Sequence, residues 1–431
     1  MALVQNHDAR IDRFQALTID KAQFEGHFYL DKAPGMTLLA MPAVAIADAL
    51  DPMLERVPTS VYDTAFERYM MIRLRLAVAL VSAFLTALAA LAMFDLGERI
   101  TGNLGGALFA SLAFALGTPI WGWSTTAFGH APVAALFVIA VWAFWCAATA
   151  HTIRFAAFGG AALGLAVLVE FHAAIAGSVI ALWGAGRLWK TEPKSLLAAA
   201  SAGAATLLVP FVAYNMVAFG TPFRLGYSGV VGFDGMNRGL FGLTFPEPLV
   251  LEEILVGMRR GLLWVAPILF LAPIGLWQLG RTCRGLAITL ALAAIFVLLV
   301  NSAYVYWDGG HSTGPRHSIP AMGMLAIALA PFWAQLRTAS ERVMSATLLG
   351  LSIVLNLAIV AANITAPDSY RFPLADPILT QWQTGALRTL PSDLWGWSPY
   401  AGIALYLVLA VPLFGLLLAS VRQSPTLGPQ A

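Results

Sequence analysis

The residues able to do chemistry gather in four stretches. The richest is Phe24-Glu25-Gly26-His27-Phe28-Tyr29-Leu30-Asp31-Lys32-Ala33-Pro34-Gly35, which sets an acid, a base and an aromatic immediately before an apolar run. A lysine at the lipid headgroup level suits a lipid phosphate, because its ammonium is a point charge with three donors. Asp31 beside it can orient Lys32, bind a cation or accept a proton. The same residues also read as an ordinary charged flank with a helix-starting proline. The second stretch holds Tyr304, Tyr306, Trp307, Asp308, Gly309, Gly310, His311, Ser312, Gly314, Pro315, Arg316 and His317. Its glycines and proline demand a specific tight turn, and its aromatics fit an interfacial belt as well as a site. The third is Arg259-Arg260-Gly261, two cations for which an anionic headgroup is a sufficient reason. The fourth, Trp121-Gly122-Trp123-Ser124-Thr125-Thr126-Ala127-Phe128-Gly129-His130, is suited to lining a sugar pocket, or again to a belt.

No familiar nucleotide or metal signature accompanies them. The sequence has no Walker loop, no GxGxxG after a strand, no HExxH and no paired CxxC. Its seven histidines show no ligand spacing. No cofactor is demanded, and a divalent cation is the one addition the acids allow. The two cysteines, Cys146 and Cys283, rule out a disulfide framework.

The elements that position these residues are membrane helices. Of 431 residues, 59% are hydrophobic and 11% charged, whereas a soluble domain carries about 25% charged residues. Soluble enzymes, nucleic-acid binders and disordered scaffolds are excluded on that ground, and a net charge of +2 points to no polyanionic partner. A span needs about 20 mostly apolar residues. Runs at 76–95, 103–119, 131–149, 156–169, 172–186, 195–218, 261–279, 286–306, 319–335, 343–363 and 400–420 meet or approach this, predicting an all-α polytopic bundle. Glu170 and His172 interrupt 156–186, which reads either as two short helices or as one broken one.

Loop charge sets the orientation. One alternate set of loops, all short, holds Arg99, Arg154, Arg187, Lys190, Lys194, Arg281, Arg284, Arg337 and Arg342, with Arg422 in the tail. The other set is longer and holds Arg224, Arg238, Arg259, Arg260, Arg316, Arg371 and Arg388. Basic residues are retained in the cytoplasm, so the first set faces inward. The organisation expected is an outer first segment 1–75, a membrane module 76–218, an outer loop or lid 219–259, and a second module 260–431 with outer loops 307–318 and 364–399. The apolar run 36–50 has 15 residues, contains Pro42 and ends at Asp51-Pro52, and is expected to lie in the outer interface. An outer polar stretch before it needs a way across, so the expectation is that 36–50 itself spans or that the natural chain begins before Met1.

Tyr29, Asp31 and Lys32 within YLDKAPG, with RRGLLWVAP (259–267) and YWDGGHSTGPRHSIP (306–320), carry a family resemblance. The chain resembles the C-type glycosyltransferase superfamily (GT-C), in the branch of protein O-mannosyltransferases and lipid A aminoarabinose transferases. It does so over most of its length in topology, and in sequence at these three places. These are polytopic enzymes that take a sugar from a polyprenyl-phosphate carrier on the outer face, and the expectation for this chain is a multi-pass protein of the bacterial inner, cytoplasmic membrane with its active site facing the periplasm. The resemblance implies that Lys32 is a ligand of the carrier phosphate, Asp31 its acidic neighbour, and Tyr29 part of the motif; here Ala33 is inserted before the proline. It further implies a catalytic aspartate about thirty residues before the motif lysine, just after a first spanning helix. Ala2 stands at that place, so the expectation is that Met1 lies downstream of the natural start, or that Asp8, Asp12 or Asp31 serves as base.

The implied reaction is an inverting displacement. A deprotonated acceptor hydroxyl attacks the anomeric carbon, and Lys32, helped by Arg259, Arg260 and Arg316, stabilises the departing polyprenyl phosphate. Asp308 and His311 complete the expected substrate contacts. Membrane lipids are partners, the acceptor being a glycan, lipid or protein, and nucleic acid is not. The competing readings are a transporter or flippase for lipid-linked glycans, which would depend on Glu170 within the spans, and a non-catalytic subunit of envelope assembly.

Overall fold

The computed structural model describes residues 1–50 and 58–423. Asp51 and Pro52, expected to close the interfacial helix, lie outside the described residues, as does the side chain of Arg422. A short antiparallel hairpin of β1 (Ala22–Phe24) and β2 (His27–Tyr29) comes first. The helices that build the fold follow in chain order: α1 (Gly35–Leu50), α2 (Phe66–Thr101), α3 (Leu104–Leu116), α4 (His130–Ala150), α5 (Ile153–Val169), α6 (Ala173–Trp189), α7 (Lys194–Phe219), α8 (Arg284–Ala303), α9 (Arg316–Ala334), α10 (Ala339–Ala362) and α11 (Pro399–Val421). Among the described residues, seven of these (α2, α4 and α7 to α11) are long and apolar enough to cross a membrane. Helices α1, α3, α5 and α6 are shorter apolar helices. The expected all-helical polytopic architecture is the one observed.

The break in 156–186 makes two helices, with Glu170 in extended conformation at φ −145°, ψ 116°. The expected span 261–279 is corrected. It forms a helical turn at Leu262–Val265, a tight 3-10 stretch at Pro267–Leu271 and a helix at Ala272–Thr282. Pro267 is the reason: its ring disfavours the helical region for the residue before it, and Ala266 sits at φ −144°, ψ 60°. The freed backbone groups find partners on α10, where Asn356 donates to the Val265 carbonyl at 2.9 Å and Ser352 accepts from the Ile268 N–H at 3.0 Å. Such replacement is what non-helical backbone at membrane depth requires.

The chain divides into two compact units. The first comprises Met1–Ala89, Ser124–Pro246 and Ala303–Tyr306. Its hairpin turns through Glu25 (φ 52°) and Gly26 (φ 84°), the pair of positive φ angles a two-residue hairpin favours. Phe24, Tyr29 and Phe219 pack ring against ring, with Ala9, Tyr214 and Ala218 buried around them. Helices α5 and α7 meet through small residues: a Cβ on Gly160 would lie 1.9 Å from the Ala200 carbonyl oxygen, and one on Gly203 2.0 Å from that of Ala157. Close approach of this kind is how helices associate where apolar burial supplies no net drive.

The second unit comprises Ala90–Trp123, Glu247–Ser302 and Trp307–Ala431. There α3 lies against α9, with Gly106 so near Ala330 that a Cβ would stand 2.6 Å from its carbonyl oxygen. Thr338 caps α10 in a capping box with Glu341. Helix α11 leaves Val408, Leu409, Val411, Leu413 and Leu416 on the outside, an apolar surface suited to lipid rather than water.

Candidate functional site

The first unit places Lys32 at the exit of the hairpin, three residues before α1 begins. The turn between them is held tightly. A Cβ on Gly35 would stand 2.5 Å from the Leu168 carbonyl oxygen at the end of α5, and one on Gly226 2.5 Å from that of Leu30. The lysine loop is thus wedged between the end of α5 and the loop after α7, with room for backbone only.

Lys32 Nζ lies 2.5 Å from Asp31 Oδ2 and 3.1 Å from Asp20 Oδ1. The two carboxylates differ in setting: the Asp31 side chain is 0% exposed, while those of Asp20 and Lys32 are 42% and 47% exposed. Asp31 Oδ1 is buried without a hydrogen-bond partner among the described residues, so compensation of this carboxylate rests on the lysine. Burial works against the Lys32 ammonium, but Asp31 and then Asp20 outweigh it and hold its pKa above the usual lysine value. The arrangement is a permanently charged ammonium, anchored from behind by one carboxylate and covered in front by another. It can grip an oxyanion if the front carboxylate yields.

An aromatic ring lies beside this ammonium. It stands 5.9 Å from the centroid of the Phe233 ring. Tyr306 meets Phe233 edge to face at 5.6 Å, and the Gly235 N–H donates to Tyr306 Oη at 2.9 Å. Tyr227 packs against Phe171 and Phe241, and burial, with Glu170 next, pushes its phenol well above the ordinary tyrosine range.

The other expected acids are engaged away from Lys32. Asp8 pairs with Arg10 at 2.6 Å. Asp12 stitches the hairpin, accepting from the Phe28 N–H at 2.7 Å and meeting His27 Nδ1 at 2.8 Å. The Phe28 N–H and His27 overcome the effect of burial and hold Asp12 below the usual carboxylate range. Tyr29 is buried within the aromatic cluster, where it packs the hairpin against the end of α7. Glu170 is clamped by two imidazoles, His130 Nδ1 at 2.7 Å and His172 Nε2 at 3.0 Å. Its burial in an apolar unit is therefore accounted for by local charge pairing.

The second unit contains the arginines. Arg259 Nη2 reaches Asp308 Oδ2 at 2.6 Å, and its guanidinium lies 5.8 Å from the Trp307 ring centroid. Arg260 is 1% exposed and donates to backbone carbonyls, Nε to Asp308 at 2.8 Å and Nη2 to Gly310 at 2.6 Å. Burial, with Arg259 adding to it, pulls its pKa down to about 10. Arg260 is thus the clamp of the 308–310 turn, and Arg259 is the member of the pair with a side-chain partner. Asp308 Oδ1 accepts from the Gly310 N–H at 3.1 Å. His311 is exposed beside that turn. Arg316 lies against Gly309, whose missing Cβ would meet its Nε at 2.7 Å, and stands 5.7 Å from the Trp123 ring centroid.

Asp20, Phe233 and Tyr227 escaped the sequence reading. Asp20 had one usable signal, an acid followed by a lysine just ahead of the hairpin. Phe233 and Tyr227 sit in a glycine-rich loop with no periodicity to orient them. Among the described residues no group of three or more His, Cys, Asp or Glu side chains is arranged to hold a metal ion.

No family model matches the chain, and no curated protein matches it. Two solved structures are similar to it: ArnT from Cupriavidus metallidurans bound to undecaprenyl phosphate, and the same protein in the apo state. The first has a TM-score of 0.46 and 19% identity, covering 85% of this chain and 60% of that one. The second has a TM-score of 0.48 and 18% identity, covering 84% and 61%. The chain thus spans about three fifths of the length of the structures it matches.

Proposed function

We propose that this membrane protein is a glycosyltransferase that moves a sugar from a polyprenyl-phosphate carrier to an envelope acceptor at the outer face of the bacterial inner membrane. The observation that carries this reading is the lysine itself. Lys32 is a charged ammonium at the head of an apolar helix, anchored by a buried carboxylate and covered only by an exposed one. A phosphate on a lipid tail brings the chemistry that such a group recognises, and the bilayer brings the tail to it.

In this reading the donor phosphate replaces Asp20 at Lys32. The ammonium then stabilises the charge that develops on the phosphate as the glycosidic bond breaks. Asp31, fully buried, keeps Lys32 in place. Asp20, released from the lysine, stays on the phosphate side of the anomeric carbon, and the attacking hydroxyl gives its proton to a base on the opposite side. Displacement from the face opposite the phosphate inverts the anomeric centre. Asp12 holds the hairpin that carries the lysine, and Asp8 pairs with Arg10. In the second unit, Arg259, Asp308, His311 and Arg316 remain proposed substrate contacts by resemblance alone, and Arg260 clamps the 308–310 turn.

The test is binding of a short-chain polyprenyl phosphate to the full chain in detergent. Lys32→Met should lose at least tenfold in affinity. Because this variant leaves Asp31 uncompensated, the double variant Asp31→Asn with Lys32→Met is measured beside it and should lose the same. Unchanged affinity in a folded double variant rejects the reading.

A further inference from the structure

A phosphate held by Lys32 has the transferred sugar attached to it, so the surface beside the ammonium decides what sugar fits. That surface is Phe233. Its ring is half-buried, and its centroid is 5.9 Å from Lys32 Nζ. The ring is held rather than loose. On its N-terminal side Val231 donates to the Lys21 carbonyl at 3.0 Å, and Val230 bridges to Ala22, tying this stretch to β1. On its C-terminal side the Gly235 N–H is fixed on Tyr306 Oη, and Gly235 lacks the Cβ that would meet that oxygen at 2.8 Å. Tyr306 supports Phe233 edge-on, with the ring planes at 86°, and Tyr304 supports Tyr306 in turn at 5.8 Å.

Three aromatic rings braced in series beside a cation make a platform. Paired aromatic rings stand with centroids about 4.5–7 Å apart; a pyranose stacked on Phe233 at a like spacing would bring a phosphate one glycosidic oxygen away to Lys32. The ligand that presents this combination is a pyranose with an apolar C–H face, linked at its anomeric carbon to phosphate.

We propose that Phe233, braced by Tyr306, is the platform on which the sugar ring of a lipid-linked pyranosyl phosphate stacks. The proposal rests on the phosphate role of Lys32. It assigns recognition of the sugar to the loop after α7, and recognition of the phosphate to the loop before α1.

The experiment compares two probes on the full chain in detergent: a short-chain polyprenyl phosphate, and a panel of the same lipid carrying single pyranoses. The wild type should bind at least one glycosylated lipid more tightly than the bare one. Phe233→Ala should weaken that glycosylated lipid about tenfold, the upper range of an aromatic stacking contact, while bare-lipid affinity stays within about twofold. Phe233→Tyr should restore the preference, which separates stacking from loop packing. Equal weakening of both probes would mean that Phe233 packs the loop or meets the isoprenoid tail, and overturns the proposal. So does a wild type with no preference for any glycosylated member. Retention of the sugar preference in Phe233→Ala overturns it too. Lys32→Met weakens both probes together, so failure of the phosphate reading shows as an unchanged bare-lipid affinity in that variant, whatever Phe233 does.

Discussion

Asp20 covers the exposed side of Lys32 at 3.1 Å, while Asp31 holds the buried side at 2.5 Å. The two pairs are unequal in consequence. An exposed ion pair contributes about 0–1 kcal/mol, so Asp20 is readily exchanged for a better anion. Asp20→Asn should therefore tighten polyprenyl phosphate binding by about two- to fivefold, since it removes a competitor of that strength. Tighter binding is the expected signature, read from a binding isotherm. Unchanged binding would show that the Asp20 contact does not compete with phosphate.

Asp31 should matter for stability where Asp20 does not. Asp31→Ala removes the buried partner of a lysine whose loop is packed backbone to backbone, at an expected cost of about 1–3 kcal/mol. Asp20→Ala should cost less than about 1 kcal/mol. Thermal unfolding of the two variants in one detergent gives the comparison, and equal midpoints would contradict it.

Gly226 touches no chemistry, yet its substitution should reach the site. A Cβ there would stand 2.5 Å from the Leu30 carbonyl oxygen and 2.8 Å from that of Asp31. Neither is a flexible side-chain end, so the lysine loop must move. Gly226→Ala is expected to weaken lipid phosphate binding by about tenfold, because a small displacement of a charged ligand is costly in a preorganised site. Gly186→Ala has open space around its Cβ and should leave binding unchanged.

In the second unit, Arg260→Met should act through the turn it clamps. The carbonyls of Asp308 and Gly310 would lose their donors in a site where Arg260 is 1% exposed. Leaving such groups unsatisfied costs about 1–3 kcal/mol. A lowered unfolding midpoint is expected, and restoration by Arg260→Lys should be partial at best, since an ammonium cannot span both carbonyls as a guanidinium fork does.

Membrane character, helix positions and the lysine loop were legible in the linear sequence. Apolar length sets where a chain can cross a bilayer, whatever its neighbours are. Glu170 and His172 were readable as a break between α5 and α6 because charge interrupts apolar periodicity. Pro267 carried the information that splits 261–279, but a proline inside an apolar run can also be absorbed as a kink, and the outcome depended on Asn356 and Ser352 being in reach to take over the freed backbone groups. The roles of individual ions were another matter. Arg259 and Arg260 are adjacent and of one type, yet one meets a carboxylate and the other two carbonyls. Asp8, Asp12, Asp20 and Asp31 are all acids near one lysine in sequence, and only the fold chooses two of them. Spans follow from the composition of a segment, which the sequence contains in full. Charge pairing follows from distances of a few ångströms between residues that the sequence separates, and packing of the hairpin, the end of α5 and the loop after α7 is what decides those.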